Sequence, residues 1–350
     1  MAAYTTIDDP SAYFKVQLYT GNGTDATGIV FNDTDTDMQP DFVWIKDRDG
    51  TNLPILFDAV RGATLEINSN QTQAEQTKTD TLQSFDSDGF TLGDRGVVNE
   101  NTTKFVAWCW KGGTTGSGTT TGSGTGKAYS YTVSTAAGIS ITKWLGNGSS
   151  GHTIPHNLGT TPQLVIMKNR DAGITWIVGH EKAAFTNILF LDKTDAAADD
   201  ANGFADTAPD ATVWTMGTGN GGNSDDVNYV GYVFSNRSGF SKFGSYEGNG
   251  NADGTFVYLG FRPAWVMTKS IDSTSTWEIF DNKREGYNID NDALVADDTT
   301  VEATADQIDL LSNGFKLRIA TDPNVAETYI YAAFAEAPFV NSNGVPCNAR

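Results

Sequence analysis

Tyr19-Thr20-Gly21-Asn22-Gly23, followed nineteen residues after Gly21 by Pro40-Asp41-Phe42-Val43-Trp44-Ile45-Lys46, decides how this chain is read, because the phrase returns twice. It recurs as Trp144-Leu145-Gly146-Asn147-Gly148 with Pro162-Gln163-Leu164-Val165-Ile166-Met167-Lys168, and as Tyr246-Glu247-Gly248-Asn249-Gly250 with Pro263-Ala264-Trp265-Val266-Met267-Thr268-Lys269. The gaps of 19, 16 and 15 residues from Gly to Pro suit a variable loop between two fixed elements. Each copy closes on an aromatic-rich run beginning at Phe105, Tyr229 or Tyr329, which lie 65, 67 and 66 residues beyond the anchoring proline. A third landmark falls 17 residues after the proline, at Phe57-Asp58 and Phe280-Asp281, with Gly179-His180 in the middle copy. A period near 100 residues predicts tandem modules, and is too long for propeller blades of roughly 40 to 45 residues.

Within each copy the patterning is that of strands. Tyr13 to Tyr19 alternates apolar and polar residues, the period of a half-buried strand. Phe42 to Ile45 and its counterparts are short continuous apolar runs, as in strands covered on both faces. Gly-Asn-Gly predicts a turn, since both residue types tolerate positive φ. Asp88-Gly89 and Asn313-Gly314 are hairpin signals. Helical periodicity is weak, with short candidates at Ala196 to Asp200 and Thr304 to Leu311. The fold expected is all-β: three tandem β-sandwich or jelly-roll-like repeats of about 100 residues each.

The boundaries follow. Residues 1–12 read as an N-terminal attachment tail, 13–111 as the first repeat, 138–237 as the second, 238–339 as the third and 340–350 as a C-terminal tail. Residues 112–137 read as a linker, because Gly112 to Gly126 holds only Gly, Thr and Ser, a composition that leaves a chain flexible. On this reading the first repeat reorients freely while the last two dock as a pair.

With 43 acidic against 23 basic residues the formal charge is −20, which disfavours nucleic acid, whose phosphates it would repel, and anionic membranes. No stretch reaches the roughly 20 apolar residues of a membrane span, and the start lacks the pattern of a secretory signal. Synthesis in a cytoplasm is expected, with any outside role reached by lysis inside an assembled particle. Cys109 and Cys347 give no disulfide framework.

Signals for catalysis are few, and the chain is read as a non-enzyme. His152 and His156 would share one face of a helix, but Pro155 between them argues for extended chain and hydrogen-bonding roles. Asp33, Asp35 and Asp37 fall on one side of an extended loop where their oxygens could hold Ca²⁺, though the glycine and terminal Glu of an EF-hand are missing. A solvated acidic loop is the plainer alternative. Phe57-Asp58-Ala59-Val60-Arg61-Gly62 and Phe280-Asp281-Asn282-Lys283-Arg284 each suggest a buried Asp–Arg pair closing a turn. Most of the eight Trp fall in core strands, while Trp176, Trp214 and Trp277 lie near predicted loops, where an indole face could stack on a sugar.

The phrases Thr5-Thr6-Ile7-Asp8-Asp9-Pro10-Ser11-Ala12-Tyr13-Phe14, Tyr19 to Gly23, Phe105 to Lys111 and Ile154-Pro155-His156-Asn157-Leu158-Gly159 resemble those of tail-fibre-like virion proteins of marine and cyanobacterial tailed bacteriophages. The resemblance extends over essentially the full chain and carries no assigned binding residues. It implies a tail fibre or receptor-binding protein on the virion surface, joined to other virion proteins through its N-terminal region. The outer modules would adhere to a host cell-surface glycan, and analogy with phage fibres implies a homotrimer. A capsid decoration or head-fibre protein is the alternative, and a glycan depolymerase a third reading.

Overall fold

A computed structural model of the chain describes residues 3–31, 36–284 and 292–347. It is all-β, with 43% of residues in strands and 4% in helices. The same strand order is built three times. In the first copy Phe14–Thr20 pairs with Lys104–Trp110, which pairs with Phe42–Asp47, then Ile55–Asp58 and Leu65–Asn68. In the second the matching order is Ile139–Leu145, Asn228–Phe234, Leu164–Asn169 and Ile177–His180, and in the third Ser241–Glu247, Thr328–Pro338, Phe261–Ser270, Glu278–Asp281 and Leu294–Val295. A three-stranded sheet covers one face of each large sheet, running Thr27–Val30, Gly89–Leu92, Leu82–Asp86 in the first copy. Its counterparts in the other copies place His152–Pro155 beside Val213–Met216 and Phe256–Tyr258 beside Gly314–Leu317.

The Gly-Asn-Gly loops explain their own recurrence. Gly21, Gly146 and Gly248 run so close to a neighbouring chain that a Cβ would lie 2.2, 2.2 and 1.9 Å from the carbonyl oxygens of Glu100, Ser224 and Val325. The second glycines, Gly23, Gly148 and Gly250, have φ of 65, 69 and 63°, the left-handed region. Between them Asn22, Asn147 and Asn249 donate their backbone N–H to the side-chain oxygens of three wholly buried asparagines, Asn99, Asn223 and Asn324, at 2.9 to 3.1 Å. Tyr19 stacks on Phe105, Trp144 on Tyr229 and Tyr246 on Tyr329, fixing the first strand of each copy over the last.

The sandwich interiors are one half of the core. The other half lies between the repeats, where alternate residues of the large sheets meet, Phe42 and Trp44 with Leu164, Ile166, Trp265 and Met267. Trp110, Phe234 and Phe334, at the same position in three copies, touch one another with ring centroids 5.6 to 6.5 Å apart. Around them the repeats close a ring of hydrogen bonds. Lys46 donates to the Asp298 carbonyl at 2.7 Å, Lys168 to the Thr72 carbonyl at 2.7 Å and Lys269 to the Thr194 carbonyl at 3.1 Å, so the first repeat grips the third, the second the first and the third the second. Arg48 pairs with Glu302 and Arg170 with Glu75 in the same cyclic sense.

This arrangement corrects the expected flexible linker. Thr114–Thr119 is a strand paired with Ala128–Ser134, and Thr121–Gly122 pairs with His152–Pro155. The glycines are used because Gly116 and Gly118 lie beneath the rings of Tyr131 and Tyr129, where a Cβ would come within 2.5 and 2.8 Å. The first repeat is packed against both others rather than free to reorient. The N-terminal tail is docked too: Thr5 and Ile7 are buried, Tyr4 donates to the Gly260 carbonyl at 2.6 Å, and Asp8 accepts from the Ser342 backbone at 2.7 Å. Neither short helical candidate is helical; Ile308–Leu311 is a strand, paired with Gly314–Leu317 as the Asn-Gly turn requires.

Candidate functional site

The three tryptophans expected to offer indole faces to a sugar are all interior, 0, 0 and 2% exposed for Trp176, Trp214 and Trp277. Trp176 and Trp277 serve the ring of repeats: each reaches across an interface to donate its indole N–H, to the Asn68 carbonyl at 2.9 Å and the Phe190 carbonyl at 2.8 Å. Trp214 packs edge-on against Trp144 inside the second sandwich. A buried indole satisfied by one carbonyl has no face left for a ligand.

Asp33 and Asp35 lie outside the described residues, and Asp37 is exposed. Among the described residues no cluster of three His, Cys, Asp or Glu is set to hold a metal ion. His152 is buried between the Asn223 side-chain oxygen at 2.8 Å and the Thr120 hydroxyl at 2.6 Å, and burial lowers its affinity for a proton. The two Asp–Arg pairs close their turns as expected, and each carboxylate also crosses an interface: Asp58 accepts from Tyr232 at 2.8 Å and Asp281 from Trp108 at 3.0 Å. They hold the molecule together.

The middle repeat departs from this pattern, and there the surface opens. His180 replaces the aspartate; burial holds its pKa down to about 4, so the neutral ring accepts the Lys182 N–H at 3.0 Å and starts a short turn over Glu181–Ala183. Released from the Asp–Arg clasp, the chain turns through Ala184 at φ 62°, ψ 146°, a region that alanine rarely occupies. Nearby, the helix Ala201–Phe204, capped by Asp200, ends on Ala205 at φ 51°, with Asp206 at φ 51° after it. Phe204 packs edge-on against Phe185 at 5.2 Å and so sets these two strained loops side by side.

Between them lies a cleft of about 400 Å³. Pro162, Phe185 and Pro209 give it an apolar floor, while Glu181, Asp206, Thr161 and Thr186 stand around it. Gln163 is held in place, accepting the Asn236 backbone N–H at 2.7 Å and donating to the Thr161 carbonyl at 3.0 Å. The volume lies within the range of small-ligand sites, and non-glycine residues at positive φ gather where a fold maintains a surface at some cost. The lining surface of the cleft is mainly apolar, and the Glu181 carboxylate at its rim is paired with the Lys182 ammonium at 3.0 Å, so a ligand with an apolar face and polar edges matches it. Sequence reasoning passed over the cleft because its walls come from three separate loops; the one available signal was His180, where the middle copy breaks the shared landmark.

Fold and surface together define a three-repeat all-β protein with an open cleft on its middle repeat. The chain belongs to the family described as a domain of unknown function, DUF7483, whose model matches residues 9–338. That single match takes in all three repeats. No curated protein and no solved structure matches the chain.

Proposed function

We propose that this is a virion structural protein of a tailed bacteriophage, a tail fibre or receptor-binding protein that adheres to a host surface glycan through the cleft of its middle repeat. The observation that supports the reading most is the pairing of an apolar floor with Glu181 and Asp206 beside a strained loop. Carboxylates accept hydrogen bonds from sugar hydroxyls, and the floor takes the C–H face of the ring. The acidic chain, at −20, suits a neutral polysaccharide better than a phosphate-rich surface. In this reading the N-terminal region joins other virion proteins, and a homotrimer would multiply a weak contact.

The test is binding of purified host surface polysaccharides to the wild type and to Glu181→Gln/Asp206→Asn. Loss of two charge-assisted hydrogen bonds is expected to weaken binding by about tenfold or more. Wild-type protein that binds no host polysaccharide would overturn the reading, and shortening of the polysaccharide would move it to a depolymerase. The close packing of the three repeats on one another favours a second reading, capsid decoration or head fibre; density on the head lattice of imaged virions would select it.

A further inference from the structure

Asparagine followed by glycine is chemically labile, because a residue without a side chain lets its backbone nitrogen close on the preceding amide. The chain holds seven such pairs, beginning at Asn22, Asn147, Asn202, Asn220, Asn249, Asn313 and Asn343. Ring closure needs a glycine N–H free to give up its proton and an asparagine side chain free to swing over it. Six pairs lack the first freedom. Gly23, Gly148 and Gly250 donate their N–H to the carbonyls of Asn99, Asn223 and Asn324 at 2.7 to 2.8 Å, Gly203 to Asp200 at 3.1 Å and Gly344 to Asn341 at 3.0 Å. Gly314 lies inside a ladder, opposite Leu311 and Tyr258. In the three repeated loops the side chain is fixed too, Asn22, Asn147 and Asn249 accepting the N–H of Thr24, Ser149 and Asn251 at 2.9 to 3.0 Å.

Asn220-Gly221 has both freedoms. It lies in the turn between Val213–Met216 and Asn228–Phe234, and Asn220 is exposed. Among the described residues neither the Asn220 side chain nor the Gly221 N–H has a hydrogen-bond partner. Both residues line a pocket of about 130 Å³, shared with Asp200 and Asn202, which has room for several waters. The Asn220 carbonyl accepts from the Asn169 side chain at 2.9 Å and from the Tyr229 hydroxyl at 3.0 Å, so the turn is anchored around a reacting pair that is itself left open.

We propose that Asn220 is a site of spontaneous deamidation, selected by the fold from seven candidates of the same local sequence. The Gly221 nitrogen gives its proton to water and bonds to the Asn220 Cγ; the Cγ–Nδ2 bond breaks, and the side-chain nitrogen regains a proton and leaves as ammonia. Water then adds to either carbonyl carbon of the cyclic imide and opens it to aspartate or isoaspartate. Both products add a negative charge, and isoaspartate also lengthens the backbone by a carbon. The turn has no slack for that, since a Cβ on Gly221 or Gly222 would already lie 2.5 Å from Ile177 or 2.0 Å from Met216. Conversion therefore loosens the hold on Asn169 and Tyr229 in the second repeat.

The experiment incubates the full chain, folded and unfolded in urea, in mildly alkaline buffer and reads conversion at each Asn-Gly by peptide mass mapping. In the folded chain Asn220 is expected to convert about tenfold or more faster than any of the other six, and in urea the seven rates should converge. Asn220→Gln, whose longer side chain closes a ring far more slowly, should suppress the folded-state product and keep a higher thermal midpoint than wild type after incubation. A folded-state rate at Asn220 no greater than at the other six would overturn the proposal, as would a preference for Asn220 that persists in urea and so comes from local sequence alone. Equal midpoints of incubated wild type and Asn220→Gln would overturn the loosening of the second repeat.

Discussion

Single atoms decide whether the Gly-Asn-Gly loops close. At Gly21 a methyl group would lie 2.2 Å from a backbone oxygen, which cannot rotate away, so Gly21→Ala is expected to destabilise the fold by ~2 kcal/mol in urea titration, in the range of overpacking elsewhere. Gly23→Ala, strained only by its φ of 65°, should cost about 1 kcal/mol. Glu278 is the opposite kind of residue, one that repetition does not explain. It faces Thr268 where the other repeats pair Ile55 with Ile45 and Ile177 with Met167. Burial, helped by Asp322 and Asp297, pushes its pKa up to about 8. The folded form therefore keeps a proton the unfolded chain releases, so the stability tied to this group is full below its free value of 4.5 and is lost as pH rises through about 8. The stability difference between wild type and Glu278→Gln should fall across that window; a difference independent of pH would show that Glu278 is solvated. Position alone made the glycines legible, whereas the burial of Glu278 depends on a strand pairing no local pattern reveals.

Among elements, the Gly/Thr/Ser stretch is where composition misled. Such a chain is flexible unless neighbours compensate for its missing side chains, and Tyr129 and Tyr131 do so from across the ladder. A broad-specificity protease under native conditions is expected to leave residues 112–126 intact; rapid cleavage there into a first repeat and a remaining pair would restore the linker. The strands ending in Lys46, Lys168 and Lys269 were read correctly as buried, but their lysines looked like ordinary strand ends. Burial lowers all three to about 8, below the free value of 10.5. Here the unfolded chain holds protons longer, so stability rises as pH climbs from about 8 toward 10.5. Lys168→Met should remove part of that rise in urea midpoints; buried tyrosines pushed above their free value of 10 oppose it only near the upper end.

At the scale of the whole molecule, the threefold repetition could be read from spacing, and the all-β class from alternation and turn residues. The closing of the three units into a ring could not, because residues such as Trp176 and Trp277 look the same in a sequence whether they face solvent or a neighbouring repeat. The cleft of the middle repeat escaped notice for the same reason, its walls meeting only after folding. The shared centre of Trp110, Phe234 and Phe334 makes separate unfolding of one repeat expensive, since it would strip apolar surface from the other two. Differential scanning calorimetry tests this most directly. The full chain is expected to unfold in one transition with a calorimetric to van't Hoff enthalpy ratio of about 1; a ratio of about 3, or three separable transitions, would mean that the repeats unfold independently.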